Sequence, residues 1–438
     1  MKSDIEREEW KSSSGFILAC IGSAVGIGNI WRFPYIVGEN GGGAFLIPFL
    51  MVVVGLGISL MMLEFAVGKY FRSSIVKSLE KIKNNLKWSG VFIACVSLAV
   101  LSYYLVVIGW IGFFLSSFAA ETFMEFEQMT DTYFSIVSFL VVALIVMVVI
   151  GKGVIGGIEK FNKISVLILI SILIPFSAYA VTLPGAFDGI SYFITPDFSS
   201  LSNPKIWATA LGQAFFSLSL GSGALLTYGS YLGKRQFLLK PTITIISTNT
   251  AVSILAGFLI FSLVFSNNQS PSQGLPLVFN ILPDIFASME YGTVLGAVFF
   301  SLLFVAGLTS AVGLFQVPTA SIQESLKTSR RKATLIVFGL VVAIGMPSAL
   351  SYTPLEIQVN QIKFLDFMDD IFGTYGITLA ELVFVVSVSW FMCKTRILEN
   401  LNKNSRFSFP DWTIYVMKFV VPALIIFMII SSVIFENV

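Results

Sequence analysis

The sequence contains no histidine. That excludes imidazole-based catalytic triads, Cys-His nucleophile pairs and His-ligated metal sites. Charge is also scarce: 12% of the 438 residues are Asp, Glu, Lys or Arg, against roughly 25% in a soluble domain. The three cysteines, Cys20, Cys95 and Cys393, lie in or beside apolar stretches without paired spacing, so neither a disulfide framework nor a zinc site is indicated. A net charge of +2 supplies no basic face for nucleic acid. What the chain has is apolar surface. Hydrophobic residues make up 56% of it and the mean hydropathy is +0.87, the composition of a membrane protein.

A bilayer core of about 30 Å needs about 20 apolar residues per helix. The sequence offers eleven such runs, near 14–36, 42–70, 88–119, 132–150, 157–181, 205–232, 241–266, 291–323, 332–351, 364–393 and 413–435. The mixed-charge stretch from Lys2 to Lys11 precedes the first run and no small-residue cleavage site follows it, so it reads as a retained span. Of 27 lysines and arginines, 24 fall in the N-terminal tail and alternate loops, two (Lys205 and Lys363) in the opposite loops, and Arg32 lies at membrane depth. The positive-inside rule then puts the N-terminus in the cytoplasm, and eleven crossings put the C-terminus outside. The expected location is the plasma (inner) membrane.

Two runs differ from the rest. The first contains Gly22-Ser-Ala-Val-Gly26-Ile-Gly28-Asn29 and the sixth Ser217-Leu-Ser219-Leu-Gly221-Ser222-Gly223, each in mid-span. Glycine there weakens the helix. In hydrocarbon an unwound backbone survives only where it lines a cavity or binds something: freed carbonyls ligate cations and freed amides take carboxylates. For one such span, close helix packing through Gly22-xxx-Gly26 accounts for the glycines equally well. Two at corresponding positions, one and six, point instead to an inverted repeat with a midplane site. The expected division is a cytoplasmic tail (1–13), a first repeat of five helices (14–181), a second (205–393) and a peripheral eleventh helix (413–435).

Gly22-Ser-Ala-Val-Gly-Ile-Gly-Asn-Ile-Trp-Arg-Phe-Pro34, followed by Glu39-Asn-Gly-Gly-Gly-Ala-Phe45, resembles the first-helix signature of the neurotransmitter:sodium symporters. Ser217-Leu-Ser-Leu-Gly-Ser-Gly223, Tyr228-Gly-Ser-Tyr231 and Ala306-Gly-Leu-Thr-Ser310 resemble the same family's sixth and eighth helices. The likeness runs from Arg7 into span 11. It implies an all-α integral membrane protein with the LeuT-type 5+5 inverted repeat, and two sodium ions. Sodium wants about five or six oxygens, mostly carbonyls, amides and hydroxyls. The resemblance implies a first site of the Ala24 carbonyl, Asn29, Ser217, Asn249 and the substrate's carboxylate. A second would use the carbonyls of Gly22, Val25 and Ala306 with the hydroxyls of Thr309 and Ser310. Read alone, Thr309 and Ser310 fit back-bonding to their own helix.

By the same resemblance the substrate lies between the two breaks. The amides of Ile27 and Gly28 with the Tyr104 hydroxyl hold its carboxylate, and the carbonyls of Ala24, Phe216 and Ser217 with Ser219 hold its ammonium. Ser310 borders the site. Gly26 stands where monoamine carriers have an aspartate, so a zwitterionic amino acid is expected. Val100, Phe216, Ser222 and Leu314 form an apolar slot suited to a large or aromatic side chain. Arg32 and Asp369 correspond to an external gate; Arg7, Trp10, Ser230, Tyr231 and Glu324 correspond to the cytoplasmic closure. Four residues past Asn249 the family carries either a carboxylate or a chloride partner. Ser253 stands there and, with Gln213, Ser217 and Asn249, suits chloride. Glu64 and Glu381 are intramembrane carboxylates with no assigned role beyond satisfying neighbouring backbone.

Three departures stand out. Leu167 replaces a proline associated with unwinding of the fifth helix, Phe49 replaces a tyrosine near chloride, and Ser222 opens the lower pocket wall. Two other readings compete with a symporter. One is a transporter-like sensor that binds without translocating. The other is a membrane prenyl-transferring enzyme using Asp366, Asp369 and Asp370, which lacks a second acidic motif. The oligomeric state is not legible.

Overall fold

A computed structural model describes residues 8–130, 132–233, 236–269, 277–402 and 410–435. Arg7, expected in the cytoplasmic closure, lies outside the described residues. Nine described helices are long and apolar enough to cross a bilayer, from Gly43–Phe71 to Trp412–Ser431. A tenth crossing is the bent pair Ser13–Ala24 and Gly28–Glu39, which meet at 55°. The sixth apolar run is divided more severely, into Pro204–Ser217 and Ala224–Gly229. Length and composition alone therefore carry ten of the eleven expected crossings.

Span 3 (Asn84–Ala119) and span 8 (Gly292–Ser325) form the middle of the bundle. Each is 72% buried over its most apolar window, against 39% for Phe134–Gly151 and Arg330–Leu350 at the periphery. The peripheral helices spend their other face on lipid, which is why hydropathy alone found them so readily. Short elements escaped the span reading because they are brief and partly polar. They include Ile75–Ile82, Ala186–Ile194 and a two-stranded hairpin pairing Gln358 with Lys363.

The break in the sixth run has a definite local cause. Ser219, Gly221 and Gly223 have φ of 56°, 78° and 75°, a left-handed conformation that no α-helix continues. A β-carbon on Gly221 would sit 2.5 Å from the Ile377 carbonyl oxygen, so both the dihedral and the space demand glycine. We predict that Gly221→Ala lowers stability by about 1–3 kcal/mol. Gly339→Ala, on an exposed helix face with nothing within 4 Å of the new carbon, should be neutral. Thermal unfolding of the detergent-solubilised variants checks this; equal midpoints would refute the strain argument.

Candidate functional site

The two breaks face one another in the middle of the bundle. Span 1 stops at Ala24, and Val25 (ψ 100°) turns the backbone off the helical path before Gly28 restarts it. Across from it, the Ser219 hydroxyl donates to the Ser23 carbonyl at 3.0 Å, and the Ser310 hydroxyl of span 8 donates to the same carbonyl at 3.1 Å. Ser23, not foreseen from the sequence, is thus a junction of spans 1, 6 and 8. Its carbonyl is available because the helix ends one residue later.

A polar cluster lies on one side of the breaks. Asn29, Ser217, Asn249 and Ser253 are all buried, and the Asn29 amide nitrogen donates to Ser217 Oγ (2.9 Å), Asn249 Oδ1 (3.0 Å) and Ser253 Oγ (2.8 Å). Asn249 Nδ2 donates to Ser217 Oγ at 2.8 Å. Asn29 Oδ1 is held by the Gly26 amide at 3.1 Å, so presenting that oxygen to a cation requires the amide to turn over. Gln213 sits beside this cluster with Nε2 on the Gly28 carbonyl at 3.4 Å, and its Oε1 is buried without a partner among the described residues. Phe49 is packed 4.9 Å from Phe33, a wholly apolar contact where a phenol was the expected alternative.

A second group of oxygens lies where spans 1 and 8 touch. Thr309 Oγ1 donates to the Ala306 carbonyl at 2.8 Å and Ser310 Oγ approaches the Gly22 carbonyl at 3.5 Å. Back-bonding by Thr309 is therefore real. It also leaves that hydroxyl beside one of the carbonyls expected to share an ion with it.

Between the clusters, the Ile27 amide donates to Tyr104 Oη at 3.2 Å. A β-carbon on Gly26 would lie 2.5 Å from Ser310 Oγ and 3.0 Å from Tyr104 Oη, so an acidic side chain does not fit there. Gly28 packs against the Phe216 ring. Ala24 and Val100 are buried nearby, and Leu314 is partly buried. The Ser222 hydroxyl accepts from the Ala224 amide at 3.2 Å and donates to the Ser219 carbonyl at 2.8 Å, tying the gap to the first residue of the lower half-helix.

Above this level Arg32 and Asp369 make no direct ion pair. The Arg32 guanidinium lies 4.5 Å from the centre of the Phe216 ring, and Asp369 and the Tyr103 hydroxyl lie together beside Gly373. Arg32, Gln213, Phe216 and Thr374 border a cavity of about 190 Å³. Asp366, the first member of the acidic trio, is held through both oxygens by Tyr352 at 2.9–3.0 Å. On the far side of the breaks from Arg32, Trp10 is buried. Its indole donates to the Tyr228 carbonyl at 3.0 Å and its own amide to the Tyr231 carbonyl at 3.2 Å. Ser230 is buried in the same turn. Glu324 accepts from the amide and hydroxyl of Ser74, each at 2.8 Å, fastening the short helix that starts at Ile75.

Two mutually facing helix breaks, each lined by carbonyls and hydroxyls and closed below by an aromatic plug, define a multi-pass transporter. Residues 7–135 and 122–437 match the profile of the Sodium:neurotransmitter symporter family. The chain is 35% identical to a sodium-dependent transporter of Methanocaldococcus jannaschii, over 97% of this chain and 90% of that one. It is 29% identical to the sodium-dependent serotonin transporter of Drosophila melanogaster, over 88% of this chain and 70% of that one. The crystal structure of MhsT in complex with L-phenylalanine superposes with a TM-score of 0.89 at 34% identity, covering 97% of this chain and 100% of that one. The chain belongs to the sodium:neurotransmitter symporter family and has the LeuT-type fold; it is a transporter and not an enzyme.

The plug yields a prediction of its own. Cys20 is buried close to Tyr228, on which the Trp10 indole packs edge-on at 5.3 Å. In a Cys95→Ser, Cys393→Ser background, Trp10→Ala should raise maleimide labelling of Cys20 by tenfold or more, since local opening controls access to a buried group. An unchanged rate would remove Trp10 as a closure.

Proposed function

We propose that the chain imports a large hydrophobic or aromatic L-amino acid together with sodium, by alternating access, from the side bearing Glu121 and Asp188 to the cytoplasm. The observation that carries this reading is the joining of Asn29, Ser217, Asn249 and Ser253 in one buried cluster beside the break where Tyr104 meets the Ile27 amide. Asn29, Ser217, Asn249 and the Ala24 carbonyl serve as a first sodium site, completed by the substrate carboxylate. Gly22, Val25, Ala306, Thr309 and Ser310 serve as a second. If one carboxylate completes the first site, sodium and substrate raise each other's affinity by the same factor. At about 100 mV each ion moved inward contributes roughly 2.3 kcal/mol, and a tenfold gradient adds about 1.4.

Gly26 supports an amino acid as substrate, because the position that would hold a charged side chain is filled by Ser310 and Tyr104. The ligand of MhsT, L-phenylalanine, supports an aromatic one. Burying such a side chain among Val100, Phe216 and Leu314 contributes roughly 1.5–3 kcal/mol, enough for tenfold or greater preference over alanine. Uptake of labelled amino acids into proteoliposomes with imposed sodium gradients tests this. Tighter binding of glycine than of leucine, tyrosine or tryptophan would overturn the assignment. Binding without counterflow would make the protein a sensor. In the same assay Asn29→Ala and Thr309→Ala should each raise the sodium needed for half-maximal uptake about tenfold, the effect of losing one charged-group contact of about 1.5 kcal/mol.

A chloride partner is a second part of the proposal. Ser253, one helical turn from Asn249 and bonded to Asn29, offers a hydroxyl and no charge, so an anion there balances a buried cation. Replacing chloride by gluconate should reduce uptake, and Ser253→Glu should restore it. Full activity of the unmodified protein in gluconate would exclude chloride.

A further inference from the structure

Below the contact of spans 1 and 8 lies a polar cluster that the proposed sodium sites do not use. Asn162 of span 5 is wholly buried, and its Oδ1 has no hydrogen-bond partner among the described residues. The Tyr228 hydroxyl of the lower half of span 6 is also wholly buried and also unpartnered, although the two side chains are neighbours. Both atoms are directed at spans 1 and 8 through glycines. A β-carbon on Gly22 would lie 2.4 Å from Asn162 Oδ1; one on Gly313 would lie 2.2 Å from Ser23 Oγ and 3.6 Å from the Tyr228 hydroxyl. Three neutral oxygens from spans 1, 5 and 6 thus lie against the backbone that two glycines, Gly22 and Gly313, leave uncovered. Unsatisfied buried oxygens each cost about 1–3 kcal/mol, and a Cα–H contact to Gly22 offsets only part of that. Such groups persist where something visits them.

Position decides what visits. Directly above are Gly22 and Ser23, whose carbonyls meet the Ser310 hydroxyl; directly below is Trp10, packed on the Tyr228 ring. The cluster is therefore on the line between the second oxygen group and the cytoplasm. Its ligands are a carbonyl and two hydroxyls without formal charge, the chemistry that accepts an alkali cation and lets it go again. Asn162 is also tied by its Nδ2 to the Ile158 carbonyl at 3.0 Å, in the widened turn Val154–Glu159 that begins span 5. Movement of that turn carries the oxygen with it.

We propose that Asn162 Oδ1, Tyr228 Oη and Ser23 Oγ form a transient sodium site, the first stop of an ion leaving toward the cytoplasm. It rests on the assignment of the second sodium site to Gly22, Val25, Ala306, Thr309 and Ser310. The test is efflux of radiolabelled sodium from proteoliposomes, read beside the sodium dependence of substrate binding at equilibrium. Asn162→Leu and Tyr228→Phe should each slow efflux about tenfold, the loss of one cation contact, while the equilibrium sodium requirement stays within about twofold. Asn162→Asp should slow efflux by retaining the ion. Should Asn162→Leu fail to fold, Tyr228→Phe, which removes a single oxygen, gives the same two outcomes. Normal efflux from both variants, with or without a lower melting temperature, overturns the proposal and leaves the oxygens as the partners of a water. Thr309→Ala separates the two assignments: a normal sodium requirement there overturns the second sodium site itself, whereas an altered requirement with normal efflux in the Asn162 and Tyr228 variants overturns only the transient one.

Discussion

Glu64 accepts hydrogen bonds from the amides of Gly221 (3.0 Å) and Leu226 (3.2 Å), which lie within and just beyond the gap in the sixth span. A gap in a membrane helix exposes backbone groups that no lipid can satisfy, each costing several kcal/mol. One buried carboxylate on span 2 supplies acceptors for two of them. Glu381 of span 10 packs against Glu64 from the other side, where the absent side chain of Gly221 leaves space. The sequence marked both carboxylates as intramembrane, with satisfying neighbouring backbone as their one reading. Glu64 does that at the break in the sixth span.

The first break is stabilised differently, by side chains that also belong to the site. The Gly26 amide is bonded to Asn29, the Ile27 amide to Tyr104 and the Ser23 carbonyl to Ser219 and Ser310. No carboxylate takes part in these four bonds. Whatever displaces Asn29 Oδ1 or the Tyr104 hydroxyl frees a backbone amide one residue from the next. The two oxygen clusters and the space between them are consequently not independent, because all three share four consecutive peptide groups. Coupling between ligands at such a site follows from shared backbone and needs no long-range pathway.

The spans, the two breaks and the residues around them were legible because glycine in mid-membrane has few explanations and because the opening motif is long. Asn29, Ser217, Asn249 and Ser253 come from three separate spans, and only the family likeness joined them before the fold did. Other features had no sequence signal. Ser23 looks like one more small residue in a glycine-rich segment, and only the Ser219 and Ser310 hydroxyls directed at its carbonyl mark it. Ser222 read as a gap in a pocket wall because its bonds to the Ala224 amide and the Ser219 carbonyl show only once the helix is known to start at Ala224. Arg32 and Asp369 were placed as an external gate by family likeness alone, and no sequence signal marked the Phe216 ring beside the Arg32 guanidinium.

The missing proline in the fifth span poses the question of what loosens that helix, and the local backbone supplies an answer. Leu167 is 56% exposed, on the face of span 5 turned away from the bundle. The irregularity lies earlier: Gly153 has φ of 90° and Val154–Glu159 winds more widely than an α-helix, with Gly156 and Gly157 inside the wide turn. The N-terminal tail is fastened to this stretch. Glu8 accepts from the Val154 amide at 2.5 Å, and Glu159 accepts from the Lys11 amide at 2.9 Å. Glu8 also lies 3.7 Å from Arg330 at the start of span 9. Trp10, between those two anchors, packs under Tyr228. Displacing that tail therefore breaks bonds to the widely wound start of span 5, and straining that start loosens the tail.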